Sequence, residues 1–181
     1  MIQRLVGSEM CIRDRMHTGH AGDYVDNQLI KEIMAKYNGA QITKDMARRW
    51  KEQYSFVSTS APEEPVLVDF SIEGKAMTLD ITDCMQRACE SIVDPIVENV
   101  KKLIAGSNPE YHDEFRKNMV LAGGGSAIKG LGALIERRLS DMGDVNVHVV
   151  DDPVRLGAMG GLRLAMEVPE DMWKNLTLAS R

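Results

Sequence analysis

The sequence predicts an α/β fold with a small helical and hairpin subdomain, and three observations predict it. Residues 118–122 and 145–150 are short apolar runs of strand length, each followed by a helix-period pattern, the first over 131–142 and the second running to about residue 166. Residues 66–72 and 75–81 alternate apolar and polar side chains around Glu73-Gly74, the pattern of a hairpin. The front of the chain and the stretch between these two regions carry amphipathic helical patterns instead.

The elements follow in order. Between Gly22 and Tyr37 the apolar residues Tyr24, Val25, Leu29, Ile30, Ile33, Met34 and Tyr37 recur at steps of three and four, and Asn38-Gly39 stops the helix. Thr43 is placed to cap a second helix reaching Tyr54, with Met46, Ala47, Trp50 and Tyr54 on one side. Residues 58–65, STSAPEEP, form a turn-rich connector into the hairpin. Thr82 is placed to cap the longest helical pattern, 83–105, in which Pro95 predicts a kink or break near Val93. Asn108-Pro109 opens a short helical turn. Asp152-Pro153 reads as the cap and first residue of the last helix, and the tail with Pro169 and Trp173 as local packing. This divides the chain into a smaller subdomain over 16–81 and an α/β subdomain over 82–181.

Composition narrows the function classes. Acidic residues outnumber basic ones 27 to 22, for a net charge of −5. That balance argues against a nucleic-acid partner, which needs a concentrated basic face. No apolar run approaches the roughly 20 residues of a membrane span. Cys11 stands alone, and Cys84 and Cys89 fall on different faces of one helix, so the cysteines form no framework and a reduced, cytoplasmic setting is expected. His17 and His20 have no partner cluster and read as surface residues. His112 and His148 are isolated, and Lys101-Lys102 and Arg137-Arg138 read as solvated helix faces.

Residues 1–15, MIQRLVGSEMCIRDR, join no periodic pattern and are too short and too charged for a secretory signal. They resemble peptides made when sequencing-adapter DNA is translated, the alternative being a disordered native start. That resemblance marks them as a non-native segment.

The segment with most chemical content is Asn118 to Gly130: a strand, Gly123-Gly124-Gly125, Ser126, a short loop and a helix. Glycines let backbone N–H groups approach a ligand and allow positive φ. The carboxyl end of a sheet strand is where α/β folds place ligands, and a following helix can offer its first N–H groups to phosphate. Neither a Gly-Lys-Ser/Thr phosphate loop nor a G-x-G-x-x-G fingerprint is present. From spacing alone, a tight turn is the commoner reading of such a triplet.

VLAGGGSAIKGL, residues 120–131, resembles the adenosine motif of the superfamily of actins, Hsp70 chaperones and sugar kinases. Gly22-Asp23-Tyr24-Val25-Asp26 resembles the turn that precedes the smaller second-half subdomain of MreB-type actins. Trp50-Lys51-Glu52-Gln53-Tyr54-Ser55-Phe56 resembles the Lys-Glu helix of actins. Together with the closing EVPEDMW, these segments are most similar to the magnetosome-organising bacterial actins and next to the MreB family, over about residues 19–173.

The resemblance implies the C-terminal half of an actin-like, ribonuclease H-like ATPase fold that binds ATP or ADP with Mg2+, the metal held mainly by the other half. It implies that Gly123, Gly124, Gly125 and Ser126 flank phosphates and ribose, that Lys51 and Glu52 reach the adenosine, and that Asp23 lies near the ribose. Read without it, Lys51 and Glu52 are an ordinary solvated helix face and Asp23 a helix cap. It also implies self-association into filaments organising magnetosomes or cell shape. A sugar or acetate kinase and a cell-division or pilus-type assembly factor are the alternatives within the superfamily. Nothing here matches the family's two phosphate loops or its water-positioning residue, so this stretch alone is not expected to hydrolyse ATP.

Overall fold

The computed structural model describes residues 16–72 and 74–169. Residues 1–15, Glu73 of the hairpin turn and the tail containing Trp173 lie outside them. Helix α1 (Gly22–Lys36) and helix α2 (Lys44–Tyr54) pack on each other, joined by the two-residue strand β1 (Ala40–Gln41). Thr43 caps α2 as expected, its hydroxyl accepting from the Met46 N–H at 3.3 Å. Strands β2 (Leu67–Ile72) and β3 (Lys75–Asp80) form the hairpin in register from Leu67–Asp80 to Ile72–Lys75, and β1 adds an antiparallel edge to β2. The two-residue β1 is too short to leave an alternating signature, and the sequence reading missed it.

The long helical pattern is two helices, α3 (Thr82–Glu90) and α4 (Val93–Gly106), parted at Ser91-Ile92. Pro95 falls in the first turn of α4, where its missing N–H has no intrahelical partner to lose, so the break comes just ahead of it. Thr82 does not cap α3 from outside. It is the first helical residue, and Asp80 Oδ1 accepts its N–H at 2.8 Å. The Thr82 hydroxyl contacts both the Asp80 carboxylate and the Val66 N–H, while Tyr37 and Lys36 donate to the Asp80 carbonyl at 2.7 and 3.0 Å. One residue thereby ties α1, the hairpin and α3 together.

Beyond the short helix α5 (His112–Lys117), β4 (Met119–Leu121) pairs in parallel with β5 (Val147–Val149), and α6 (Leu131–Leu139) crosses between them. Glu136 on α6 accepts from the Val147 N–H at 2.7 Å. Gly132 brings the helix against β5, since a Cβ there would stand 2.8 Å from Val149 Cγ2. Arg138 pairs with Asp94 at 2.8 Å and Lys101 with Asp141 at 2.6 Å, so the basic doublets link α4 to α6 and to the 3-10 turn that follows it. Helix α7 (Leu156–Glu167) starts later than expected. Asp152 and Pro153 lie in the turn before it, where Asp152 Oδ1 accepts from the Arg155 N–H at 3.1 Å.

A single buried cluster runs from Val25, Leu29 and Ile33 of α1 through Met85 and Cys89 of α3 to Leu134 and Leu139 of α6. Both described cysteines are free and buried, and burial pushes the Cys89 thiol up to about 12. Helix α7 contributes nothing to that cluster. None of its residues is buried, and Leu162 and Met166 are 62% and 80% exposed. Val120 on β4, at 65%, is exposed as well. Among the described residues no helix is long and apolar enough to cross a membrane.

Two outcomes are expected. Gly130 has φ +81°, and an added Cβ would stand 2.5 Å from Thr59 Oγ1 and 2.7 Å from Ser60 Cβ. Gly130→Ala should therefore cost about 2–4 kcal/mol in urea denaturation, from positive-φ strain plus overpacking. Gly124→Ala meets nothing within 4 Å at ordinary φ and should change stability by less than about 0.5 kcal/mol.

The second concerns Asp80, whose carboxyl is held below its usual range by the Thr82 hydroxyl and N–H. A lowered folded-state pKa gives stability above the unfolded value that disappears as pH falls through the folded one. Asp80→Ala should cost about 1 kcal/mol from neutral pH down to about pH 5, and the difference from the parent should close below about pH 4.

Candidate functional site

Strand β4 ends at Leu121, and the chain turns through Gly123 at φ +90° into a 3-10 turn over Gly124–Ala127. The Gly123 carbonyl accepts both the Ser126 N–H at 3.0 Å and the Ser126 hydroxyl at 2.8 Å. Ser126 is buried, and its side chain closes the turn. The Gly123 N–H donates to the Pro153 carbonyl at 3.1 Å, fixing the turn against the loop after β5. Gly123, Gly124 and Gly125 are all exposed, and a Cβ on any of them would meet nothing within 4 Å. Only Gly123 needs glycine for its backbone angle. The chain's own packing gives no reason for glycine at 124 and 125.

Beside this turn lies an open cavity of about 580 Å³ between Ser126–Ala133, Glu136 and the end of β5 with Val150, Asp151 and Pro153. Of the residues predicted to contact nucleotide, only Ser126 lines it. Lys51, Glu52 and Asp23 belong to a second cluster, on α1 and α2.

That cluster is built around Asp26, which has no exposed surface. Lys51 Nζ stands 2.7 Å from Asp26 Oδ1 and donates to the Gly22 carbonyl at 3.0 Å, and Arg48 Nε is 3.8 Å from Asp26 Oδ2. The Lys51 contact is close enough for charge pairing, yet no well-aligned hydrogen bond from a described residue closes on either Asp26 oxygen. Asp23 does not sit in a turn ahead of α1. It is in the helix's first turn, where a carboxylate suits the N-terminal dipole, and Ala21 is the N-cap. Its carboxylate pairs with Lys44 at 3.1 Å and Arg48 at 3.3 Å, and the Lys44 hydrogen bond holds it below the usual range. Glu52 sits on α2 beside this cluster, exposed and with no hydrogen bond or ion pair among the described residues. The sequence reading missed Asp26, although its place in α1 with Val25 and Leu29 on the buried face was a signal that could have found it.

The two clusters are joined through the chain between them. Helix α2 ends at Tyr54, and Phe56 forms a parallel bridge with Lys129, three residues beyond Ser126. The Val57 N–H donates to the Lys129 carbonyl at 3.0 Å, and the Lys129 N–H to the Ser55 carbonyl at 3.3 Å. Among the described residues no group of His, Cys, Asp and Glu could hold a metal ion.

The fold is that of the actin-like class, as its solved neighbours show. A MamK double helical filament has a TM-score of 0.80 at 38% identity, over 87% of this chain and 48% of that one. A non-polymerising MamK mutant bound to AMPPNP has a TM-score of 0.74 at 40% identity, over 81% and 45%. The MreB/Mbl protein family model matches residues 8–172, and the chain belongs to that family. The actin-like protein MamK of Paramagnetospirillum magneticum is 38% identical over 90% of this chain and 46% of its own length. The MamK of Magnetospirillum gryphiswaldense is 36% identical over 90% and 45%. The chain thus spans about half the length of the relatives it matches.

Lys51→Ala should leave the Asp26 carboxylate buried without its nearest charge and destabilise the fold by about 3 kcal/mol in thermal or urea unfolding. Glu52→Ala, on an exposed face, should stay within about 0.5 kcal/mol.

Proposed function

We propose that this chain forms one wall of the nucleotide cleft of a filament-forming bacterial actin. The carrying observation is the turn at Gly123-Gly124-Gly125, exposed at the carboxyl end of β4 with open space where side chains would stand. Such a surface lets main-chain groups approach a phosphate or ribose closely. Ser126 keeps the turn in shape, Lys51 and Glu52 reach toward the adenosine, and Asp23 helps orient the α1–α2 pair that carries them. The nucleotide is ATP or ADP with Mg2+, the metal and hydrolytic water handled by the part of the relatives' length that this chain does not span.

That a solved MamK relative is bound to AMPPNP, and that others are filaments, supports the nucleotide and the self-association. The same relatives favour a filament protein over a sugar or acetate kinase or a pilus-type assembly factor. In this reading the protein works in the cytoplasm on magnetosomes or cell shape, through filament contacts and no nucleic acid. The subdomains over 16–81 and 82–181 are the two second-half subdomains of the actin-like fold. The exposed apolar residues Val154, Leu162, Leu164 and Met166 on and before α7, and Val120 on β4, are surfaces that pack on the first half.

Carried to its relatives' full length, the protein should sediment as filaments when ATP is added. Gly124→Val should abolish ATP binding by calorimetry while leaving the fold intact, because the branched side chain fills space beside the phosphates and its Cβ meets nothing within 4 Å in the chain itself. Folded full-length protein that stays soluble with ATP would overturn the filament reading. Unchanged ATP affinity in Gly124→Val would remove the turn from the site.

A further inference from the structure

We infer that Asp26 is a positioning residue for the nucleotide site, acting through Lys51; this rests on the reading that places Lys51 at the adenosine. Three observations converge on it. Asp26 is fully buried, although a carboxylate is among the side chains least often found so. Its Oδ1 lies 2.7 Å from Lys51 Nζ, and neither of its oxygens has a well-aligned hydrogen bond from a described residue. Gly22 is shaped for the same ammonium group: its carbonyl accepts from Lys51 at 3.0 Å, and a Cβ on it would stand 3.2 Å from Nζ.

A lysine side chain is long and rotamer-rich, and on an open helix face its ammonium samples many positions. Here it is drawn back along α2 onto the start of α1. One of its three N–H groups is taken by the Gly22 carbonyl and its charge is held beside Asp26, which fixes where the remaining N–H groups can meet a ligand. The buried carboxylate offsets most of the ammonium's charge. Lys51 is thereby suited to an oriented hydrogen bond with a neutral group such as a ribose hydroxyl or an adenine nitrogen. Arg48, 3.8 Å from Asp26 Oδ2 and 3.3 Å from Asp23, holds the carboxylate from its other side. Adenosine contact and the packing of α1 on α2 are then set by one acid.

The test uses the protein at its relatives' full length, with Asp26→Asn, Lys51→Met and the double variant measured by calorimetry against ATP and against inorganic tripolyphosphate. Asn keeps the shape of the carboxylate, and a thermal melt of each variant establishes that it is folded at the titration temperature. Asp26→Asn should weaken ATP about tenfold and leave tripolyphosphate unchanged, and the double variant should bind ATP no worse than Lys51→Met alone. A purely structural role would weaken both ligands together. ATP affinity unchanged in folded Asp26→Asn while Lys51→Met weakens it overturns the positioning role alone, as does a double variant that loses the product of the two single losses. ATP affinity unchanged in Lys51→Met overturns both the positioning role and the placing of Lys51 at the adenosine.

Discussion

The short parallel bridge between Phe56 and Lys129 is the constraint on which the rest of the arrangement depends. Two backbone hydrogen bonds, from the Val57 N–H at 3.0 Å and the Lys129 N–H at 3.3 Å, connect the end of α2 to the loop after the glycine turn. Phe56, Val57 and Ile128 are all buried there, so these bonds are shielded from water and hard to exchange for solvent partners. Gly130 lets the chain pass within contact of Thr59 and Ser60, and the Thr59 hydroxyl donates to the Gly130 carbonyl at 2.7 Å. Glu90 on α3 accepts from the Ser58 N–H at 2.8 Å and fixes the same connector from below. A shift of α2 along its axis would have to break this set at once. The Lys51 cluster and the glycine turn are therefore held at a fixed separation, although no side chain of one touches the other.

Most of the fold was legible because its signals are local. The three- and four-residue recurrence through Val25, Leu29 and Ile33 marked α1, and those three are among its buried residues. Alternation around Gly74 placed the hairpin to within a residue at each end, with Gly74 at φ +79°. What local signals misjudged were helix starts. Thr82 and Asp152 both have the chemistry of a cap, but the residue that accepts the first free N–H of α3 is Asp80, two positions earlier. A capping oxygen can reach from a preceding strand as readily as from the boundary residue. Only the hairpin's exit direction decides which one does.

The glycine turn stands out in the sequence, and the buried acid beside Lys51 does not. The triplet stands out in sequence because glycine is rare where packing does not ask for it. Asp26 differs: its spacing to Leu29 and Ile33 puts it on the buried face of α1, but what a buried acid does there is not readable until its partners are placed. Those partners come from α2, more than twenty positions away. Gly132 was silent for a related reason. Its lack of a side chain matters only because Val149 arrives from β5 to fill the space. Long-range packing is the information that a periodicity cannot hold.

The uneven burial of the molecule follows from the same logic. Its apolar side chains converge on one cluster from Val25 to Leu139, while α7 presents Leu162, Leu164 and Met166 outward. An amphipathic surface helix would bury one stripe, yet α7 buries none. Apolar residues on both sides of a helix, like the exposed Val120 on a two-stranded sheet, belong to elements built to be covered on more than one face. The glycine turn lies at the border between this bare region and the packed core. It is fixed on one side by Pro153 and Ser126 and open on the other.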